Sequence, residues 1–470
     1  MTTLLIRNAQ AIACMDDSRT ELHNCSLLIQ NGLIEAIGET AELGPPADTV
    51  VDASQHVVVP GLINTHHHMY QSLTKAIPSV QNAELFSWLQ GLYPIWSGLT
   101  PEMVQVSTQV AMAELMLSGC TTSSDHLYLY PNGVRLDDSI EAAHNMGMRF
   151  VATRGSMSVG QSAGGLPPDQ VVEREDVILE DTQRLIETYH DQSFGAMMNV
   201  AVAPCSPFSV SRDLMKTSAE LARSLGVRLH THLAENDHDI AYTLEKFNCT
   251  PTQYVQDLGW LGHDVWHAHC VKLDDEGISL FAATKTGVAH CPCSNMRLAS
   301  GIAPIRRMMD AGVPVGLGVD GSASNDAAHL LNEARQAMLL ARVGRAVAPP
   351  ERRGERTLFG CDLGPSDMSA RDALHLATRG SAQVLGRAHD IGQIKVGMCA
   401  DLALYKLDTL GFAGGAVHDP IGALMMCASA QVDLLVINGV VKVTEGQLVG
   451  IDLPHLIARH NQLARQLALG

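Results

Sequence analysis

The chain has 470 residues, 46% hydrophobic and 17% charged, which suits a globular protein with one large domain and a smaller one. Its formal net charge of −18 argues against a nucleic-acid backbone or an anionic membrane as partner. Eleven cysteines without a CxxC pair argue for a reducing, cytoplasmic setting rather than a disulfide framework, and no apolar run nears the roughly 20 residues of a membrane span.

The N-terminal stretch reads as strands. "LLIRNAQAIA", "CSLLIQNGLIEAIG" and "TVVDASQHVVVP" alternate apolar and polar positions around a turn at Asn31-Gly32. The opening "MTTLLIRNAQ" lacks the long apolar core of a signal peptide. The C-terminal stretch repeats the pattern in "GQIKVGMCADLALYKL" and "VDLLVINGVVKVTEGQLVG", with a second turn at Asn438-Gly439. Residues 1–59 and 388–470 are therefore expected to form one β-sandwich domain with a C-terminal helix over "LPHLIARHNQLARQLAL". Between them, over 60–387, helical and strand patterns alternate: "TPEMVQVSTQVAMAELMLSG" precedes "CTTSSDHLYLY", and "SRDLMKTSAELARSLG" precedes "VRLHTHLAE". About eight such units predict an α/β protein with a (β/α)8 TIM barrel. Another doubly wound α/β fold is the alternative that pattern alone leaves open.

Three consecutive histidines stand in "NTHHHMYQ". An extended chain points alternate side chains to opposite faces, so His66 and His68 project together and His67 the other way. In a barrel the chemistry sits at the C-terminal strand ends. There lie His66 and His68, then His232 with Glu235 three residues on, His269 in "VWHAHCV", and Asp320 closing "VPVGLGVD". Any one of them reads as a core histidine or a helix-capping acid. As a set, three neutral imidazoles and a carboxylate suit a borderline metal such as zinc. In the pairs His230/His232 and His267/His269 both members are expected on one face, the earlier one a layer deeper in a structural role. Neither an HExxH helix nor the HxE with PCxxC pattern of cytidine deaminases is present.

The stretches "PGLINTHHH", "HTHLAE", "HAHC", "GLGVDGSASND" and "GQIKVGMCADL" resemble the amidohydrolase superfamily over nearly the whole chain. The resemblance implies metal ligands at His66, His68, His232 and Asp320, and a catalytic set of Glu235 as proton shuttle with His269 and Asp320 at the water or substrate. No lysine occurs from Ala76 to Met215, so the carboxylated lysine that bridges two metals elsewhere in the superfamily cannot form. One Zn2+ per chain is implied instead.

Within that mononuclear branch, "HHHMYQSLTKAIP", "LFSWLQGLYPIW", "TTSSDHLYLYP" and "APCSPFS" are similar to enzymes that deaminate 8-oxoguanine. Cys205 stands in "PCSP" where adenosylhomocysteine-type deaminases carry "PHSP", a departure that favours a compact bare base over a nucleoside. The implied activity is hydrolytic deamination of an aminated purine-type base, 8-oxoguanine to urate and ammonia, with guanine or isocytosine as side substrates. The alternatives are an s-triazine hydrolase displacing chloride or an alkylamine, and a non-catalytic binding scaffold. Gln71, Trp88, Tyr93, Arg154, Cys205 and Asn295 are the candidate substrate contacts. For Gln71 the other reading is a surface glutamine, for Trp88 and Tyr93 loop core, and for Arg154 an ion pair with a loop acid. His126 reads as pocket wall or structural. A homo-oligomer is an expectation from the family, without a sequence feature of its own.

Overall fold

The computed structural model describes residues 3–43, 47–348, 368–427 and 430–469. Eight parallel strands close into a barrel: β1 (Leu62–Asn64), β2 (Cys120–Leu127), β3 (Arg149–Ser156), β4 (Met198–Pro204), β5 (Arg228–Leu233), β6 (Val265–His269), β7 (Gly287–His290) and β8 (Val315–Leu317). Helices follow each strand and start on sequence-encoded caps. Thr100 accepts from the Met103 N–H with Pro101 in the first turn, Ser211 caps Leu214, and Asp274 caps Gly277. β2 and β3 are buried along their whole length, as expected where a helix layer covers the outside of a filled barrel.

The barrel closes on a narrow seam. β8 and β1 share one register pair, Leu317 with Asn64. Around it, the Thr65 N–H and hydroxyl both donate to the Leu317 carbonyl (2.8 Å each), and the Val319 N–H donates to Asn64 Oδ1 (2.9 Å). Just beyond, Asp320–Gly321 pairs with His67–His68.

Both chain ends build two further sheets. One has four strands (Thr3–Ala9, Cys25–Gln30, Leu33–Gly38, Thr49–Asp52), the other seven, with His56–Pro60 beside Leu402–Lys406. They face each other across a core of their own, where Ile6, Leu27 and Ile29 meet Val58, Leu402 and Val436. His56–Pro60 runs directly into β1, so this sheet hands the chain to the barrel. Two contacts lock the units together. Gly119 has φ +96°, and its missing side chain leaves room for the Tyr405 hydroxyl, which donates to the Ser118 carbonyl (2.7 Å). Arg149, at the start of β3, makes a two-pronged pair with Asp401 (2.6 and 3.1 Å).

The terminal helix Leu453–Leu469, grouped with these sheets on sequence, packs instead on the barrel helix Pro101–Leu117 and the turn Met69–Thr74. His460 reaches the Ser72 hydroxyl from it (3.0 Å). Among the described residues no helix is long and apolar enough to cross a membrane, and the described cysteines are all free.

Candidate active site

The rim of β1, β2, β5, β6 and β8 gathers the unusual side chains. Nitrogens of His66, His68, His126 and His232 lie within 4.8 Å of one another, as do ligand atoms of His66, His269 and Asp320. His67 turns away, as strand alternation requires, and its Nδ1 accepts the His68 N–H (2.8 Å). Asp320 enters from the opposite edge of the seam with φ +60°, its N–H donating to the His66 carbonyl (3.1 Å).

The hydrogen bonds decide which ring atoms face the centre. A carbonyl can only accept, so His68 Nδ1–H donates to the His126 carbonyl (2.7 Å) and His232 Nδ1–H to that of Cys205 (2.6 Å). Burial pushes the His68 pKa below 6.5 and that of His232 down to about 3, so each ring is neutral with a bare Nε2. These two Nε2 atoms lie 3.1 Å apart. His66 Nε2 is buried without a hydrogen-bond partner, 3.3 Å from Asp320 Oδ1, and His68 Nε2 is 3.4 Å from the same oxygen. Acceptor faces acceptor at contact distance, an arrangement that a cation between them satisfies. Burial opposes ionisation of Asp320, but the charge that neighbouring carboxyls favour on His269 helps to hold its carboxyl well below the usual range. Its Oδ2 accepts from Ser294 (2.5 Å) and Ser324 (3.1 Å). The donor set therefore fits a divalent metal.

Beside this cluster, His269 Nε2 lies 3.4 Å from Glu235 and 3.9 Å from Asp320 Oδ2. Burial pushes Glu235 up to about 7, His269 opposing and Asp320 and Asp239 adding to the rise. For His269, burial lowers the pKa but the Glu235 and Asp320 charges prevail and raise it. Two carboxyls on either side of one imidazole thus have pKa values driven far apart, the arrangement from which proton donors and acceptors are built. His269 is aimed by backbone strain: it has φ +72° and Cys270 φ +49°, conformations that cost roughly 1–3 kcal/mol each for residues with a side chain.

Above the cluster lies a narrow cavity that opens to solvent. Gln71, Trp88, Tyr93 and Cys205 line it, joined by Tyr128, Phe208, Leu85 and Leu89, for which the sequence carried no more than an apolar pattern. Trp88 is fixed by its indole N–H to the Ala323 carbonyl (3.2 Å). Gln71 Oε1 and the Tyr93 hydroxyl are buried without partners among the described residues. Burial pushes the Cys205 thiol up to about 12, so it is neutral.

Three expectations are corrected. Arg154 does not line the cavity. Its guanidinium pairs with Glu173 (2.9 Å) and Asp181 (2.9 Å) and stacks on Tyr130, so the ion-pair reading holds. Asn295 does not line it either; its Oδ1 accepts His269 Nδ1–H (3.0 Å), because the turn into the helix Pro292–Arg297 aims it at that ring. His267 does not share a face with His269. It points outward to Phe281 and the Trp260 carbonyl (3.0 Å), since the left-handed backbone at His269 breaks the alternation. His126 donates Nε2–H to the Ala203 carbonyl (2.8 Å) and stacks on His232 at 5.0 Å, a wall of the metal cluster. Ser294 and Ser324 went unassigned in the sequence, although Ser324 lies in a quoted motif; nothing in a serine's type marks it as a carboxylate anchor.

A closed barrel with histidines and one aspartate at its rim is the architecture of metal-dependent hydrolases, and the Amidohydrolase family model matches residues 57–442. The chain belongs to that family and is an enzyme, a hydrolase acting on carbon–nitrogen bonds. It is 46% identical to the 8-oxoguanine deaminase of Pseudomonas aeruginosa, over 94% of this chain and 95% of that one. It is 37% identical to an isoxanthopterin deaminase from an unknown prokaryotic organism, over 98% and 97% of the two chains. Among solved structures, the atrazine chlorohydrolase of Arthrobacter aurescens complexed with zinc superposes with a TM-score of 0.90 at 33% identity, covering 98% of this chain and all of that one (100%).

Proposed function

We propose that this enzyme removes the amino group of a purine-type base by hydrolysis, converting 8-oxoguanine to urate and ammonia, with guanine or isocytosine as side substrates. The observation that carries the reading is the Glu235–His269–Asp320 row at the floor of a cavity walled by aromatic and neutral groups. A flat, uncharged, amino-bearing ring matches such a slot, and among the described residues no arginine or lysine lines it to favour an anionic substrate. The identity with the 8-oxoguanine deaminase supports the choice of base.

His66, His68, His232 and Asp320 would hold one zinc ion. Zinc in such a site acidifies water and so supplies a nucleophile near neutral pH. In this reading Asp320 and His269 orient that water, and Asp320 accepts its proton. Glu235 delivers a proton to the ring nitrogen next to the attacked amidine-like carbon, making that carbon electrophilic. Once the water oxygen has bonded to that carbon, Asp320 passes its proton to the amine, which leaves as ammonia, and Glu235 recovers a proton from the new hydroxyl as the carbon becomes a carbonyl. Gln71 Oε1 and the Tyr93 hydroxyl, buried in the cavity wall without partners among the described residues, serve ring-edge groups, with Trp88 against a ring face.

The similarity to an atrazine chlorohydrolase favours one second reading, displacement of chloride or an alkylamine from a triazine. A single panel separates the two: ammonia release from 8-oxoguanine, guanine, isocytosine, adenine and cytosine, with chloride and amine release from substituted triazines. We expect kcat/KM for 8-oxoguanine above about 10⁴ M⁻¹s⁻¹ and well ahead of the rest. Turnover confined to triazines would overturn the assignment.

A further inference from the structure

We propose that His230, a residue outside the ligand set, fixes the working tautomer of His66 and is thereby a positioning residue of the metal centre. The inference rests on reading His66, His68, His232 and Asp320 as ligands. The second and third of these histidines are oriented by main-chain carbonyls (His126 and Cys205), which no substitution of a side chain removes. His66 is different: its Nδ1 meets another imidazole, His230 Nε2, at 2.8 Å.

The direction of that bond follows from its far end. His230 Nδ1 lies 3.0 Å from the Trp266 carbonyl, which can only accept, so the His230 proton sits on Nδ1. A neutral ring has one proton, and His230, fully buried with both ring nitrogens already engaged by the Trp266 carbonyl and His66, has no carboxylate on it to hold a second. Its Nε2 is then a bare acceptor and takes Nδ1–H from His66. His66 Nε2 is left bare, unpartnered, and directed at Asp320 Oδ1 3.3 Å away. The relay thus runs from a backbone carbonyl through two imidazoles to the metal-facing lone pair.

Trp266 makes the relay rigid. Its indole stacks on the His230 ring at 4.5 Å and 16°, and its Nε1–H donates to the carbonyl of Thr65, the residue before His66 (3.1 Å). One residue therefore grips both members of the pair. Without the His230 acceptor, His66 is free to carry its proton on Nε2, where an N–H faces the metal position and cannot ligate.

The test compares three variants of the full-length enzyme by competition for Zn2+ against a chromophoric chelator. His230→Phe keeps the stack on Trp266 but removes the acceptor, and it should weaken Zn2+ binding by about 10–100-fold, the range for lost outer partners of ligating histidines. His230→Gln, whose amide oxygen can accept from His66, should recover most of that loss. His267→Phe removes an equally buried histidine that faces outward, and should leave the affinity unchanged. Wild-type affinity in His230→Phe, or no rescue by glutamine, overturns the proposal. Should His230→Phe fail to fold, imidazole nitrogen NMR of metal-free wild-type protein decides independently of metal and substrate: His66 and His230 are expected as Nδ1–H tautomers, and an Nε2–H tautomer at either refutes the relay. Failure of the zinc assay for wild type itself would instead refute the metal reading.

Discussion

Replacing Arg149 by methionine should destabilise the enzyme by about 4 kcal/mol while leaving its chemistry intact. The guanidinium is 0% and the Asp401 carboxylate 2% exposed, so solvent screens neither. Besides the two bonds to Asp401, Arg149 donates to the carbonyls of Gly195 (2.5 Å) and Ala196 (3.2 Å) and to Asn438 Oδ1 (3.0 Å). Its removal leaves Asp401 buried with the Asn438 N–H (2.7 Å) as its one remaining close donor among the described residues. Breaking a buried pair from one side costs about 3–5 kcal/mol, and the retained N–H keeps the estimate off the upper limit. Urea unfolding followed by tryptophan fluorescence would show a lower midpoint at unchanged slope. The double variant R149M/D401N removes both charges and should recover at least about half of the loss. A loss below about 1 kcal/mol in R149M, or a double variant as unstable as the sum of the singles, would refute the reasoning. Because Arg149 opens β3 at the end of the barrel remote from the site, kcat of the folded fraction should not change.

Two further outcomes concern the site. Glu235→Gln should keep its bound metal, measured by elemental analysis, while kcat falls by about 10²–10⁴-fold, the usual worth of a positioned proton donor; loss of metal would make Glu235 a ligand instead. Arg154→Met should lower thermal stability and leave KM within about twofold, because its charge is spent on Glu173 and Asp181; a large rise in KM would restore it to the substrate.

The barrel was legible because helix and strand periods alternate visibly, and the rim histidines because they close predicted strands. What stayed hidden depends on facts that no local pattern carries. His267 and His269 look like His230 and His232, yet only the second pair keeps its alternation; the difference is a backbone kink at His269 that its sequence neighbours do not announce. Arg154 sits at a strand end just as His232 does, and its acids come 19 and 27 residues later, on segments whose packing is set by the tertiary fold. Asn295 was expected at the substrate, but its partner is a ring on the neighbouring strand, not the cavity.

The narrow seam between β8 and β1 has a consequence for how the enzyme is made. Asn64 and Val319, bonded across it, are 255 residues apart, and the converging groups come from both sides of that join. A metal there would act as a staple on the weakest edge of the cylinder, worth about 2.7 kcal/mol when free metal stands at 100 times its Kd. It would also impose an order of assembly. A chain still lacking residues 315–320 offers histidines without their carboxylate, so the complete ligand set exists only once the last strand has closed the cylinder.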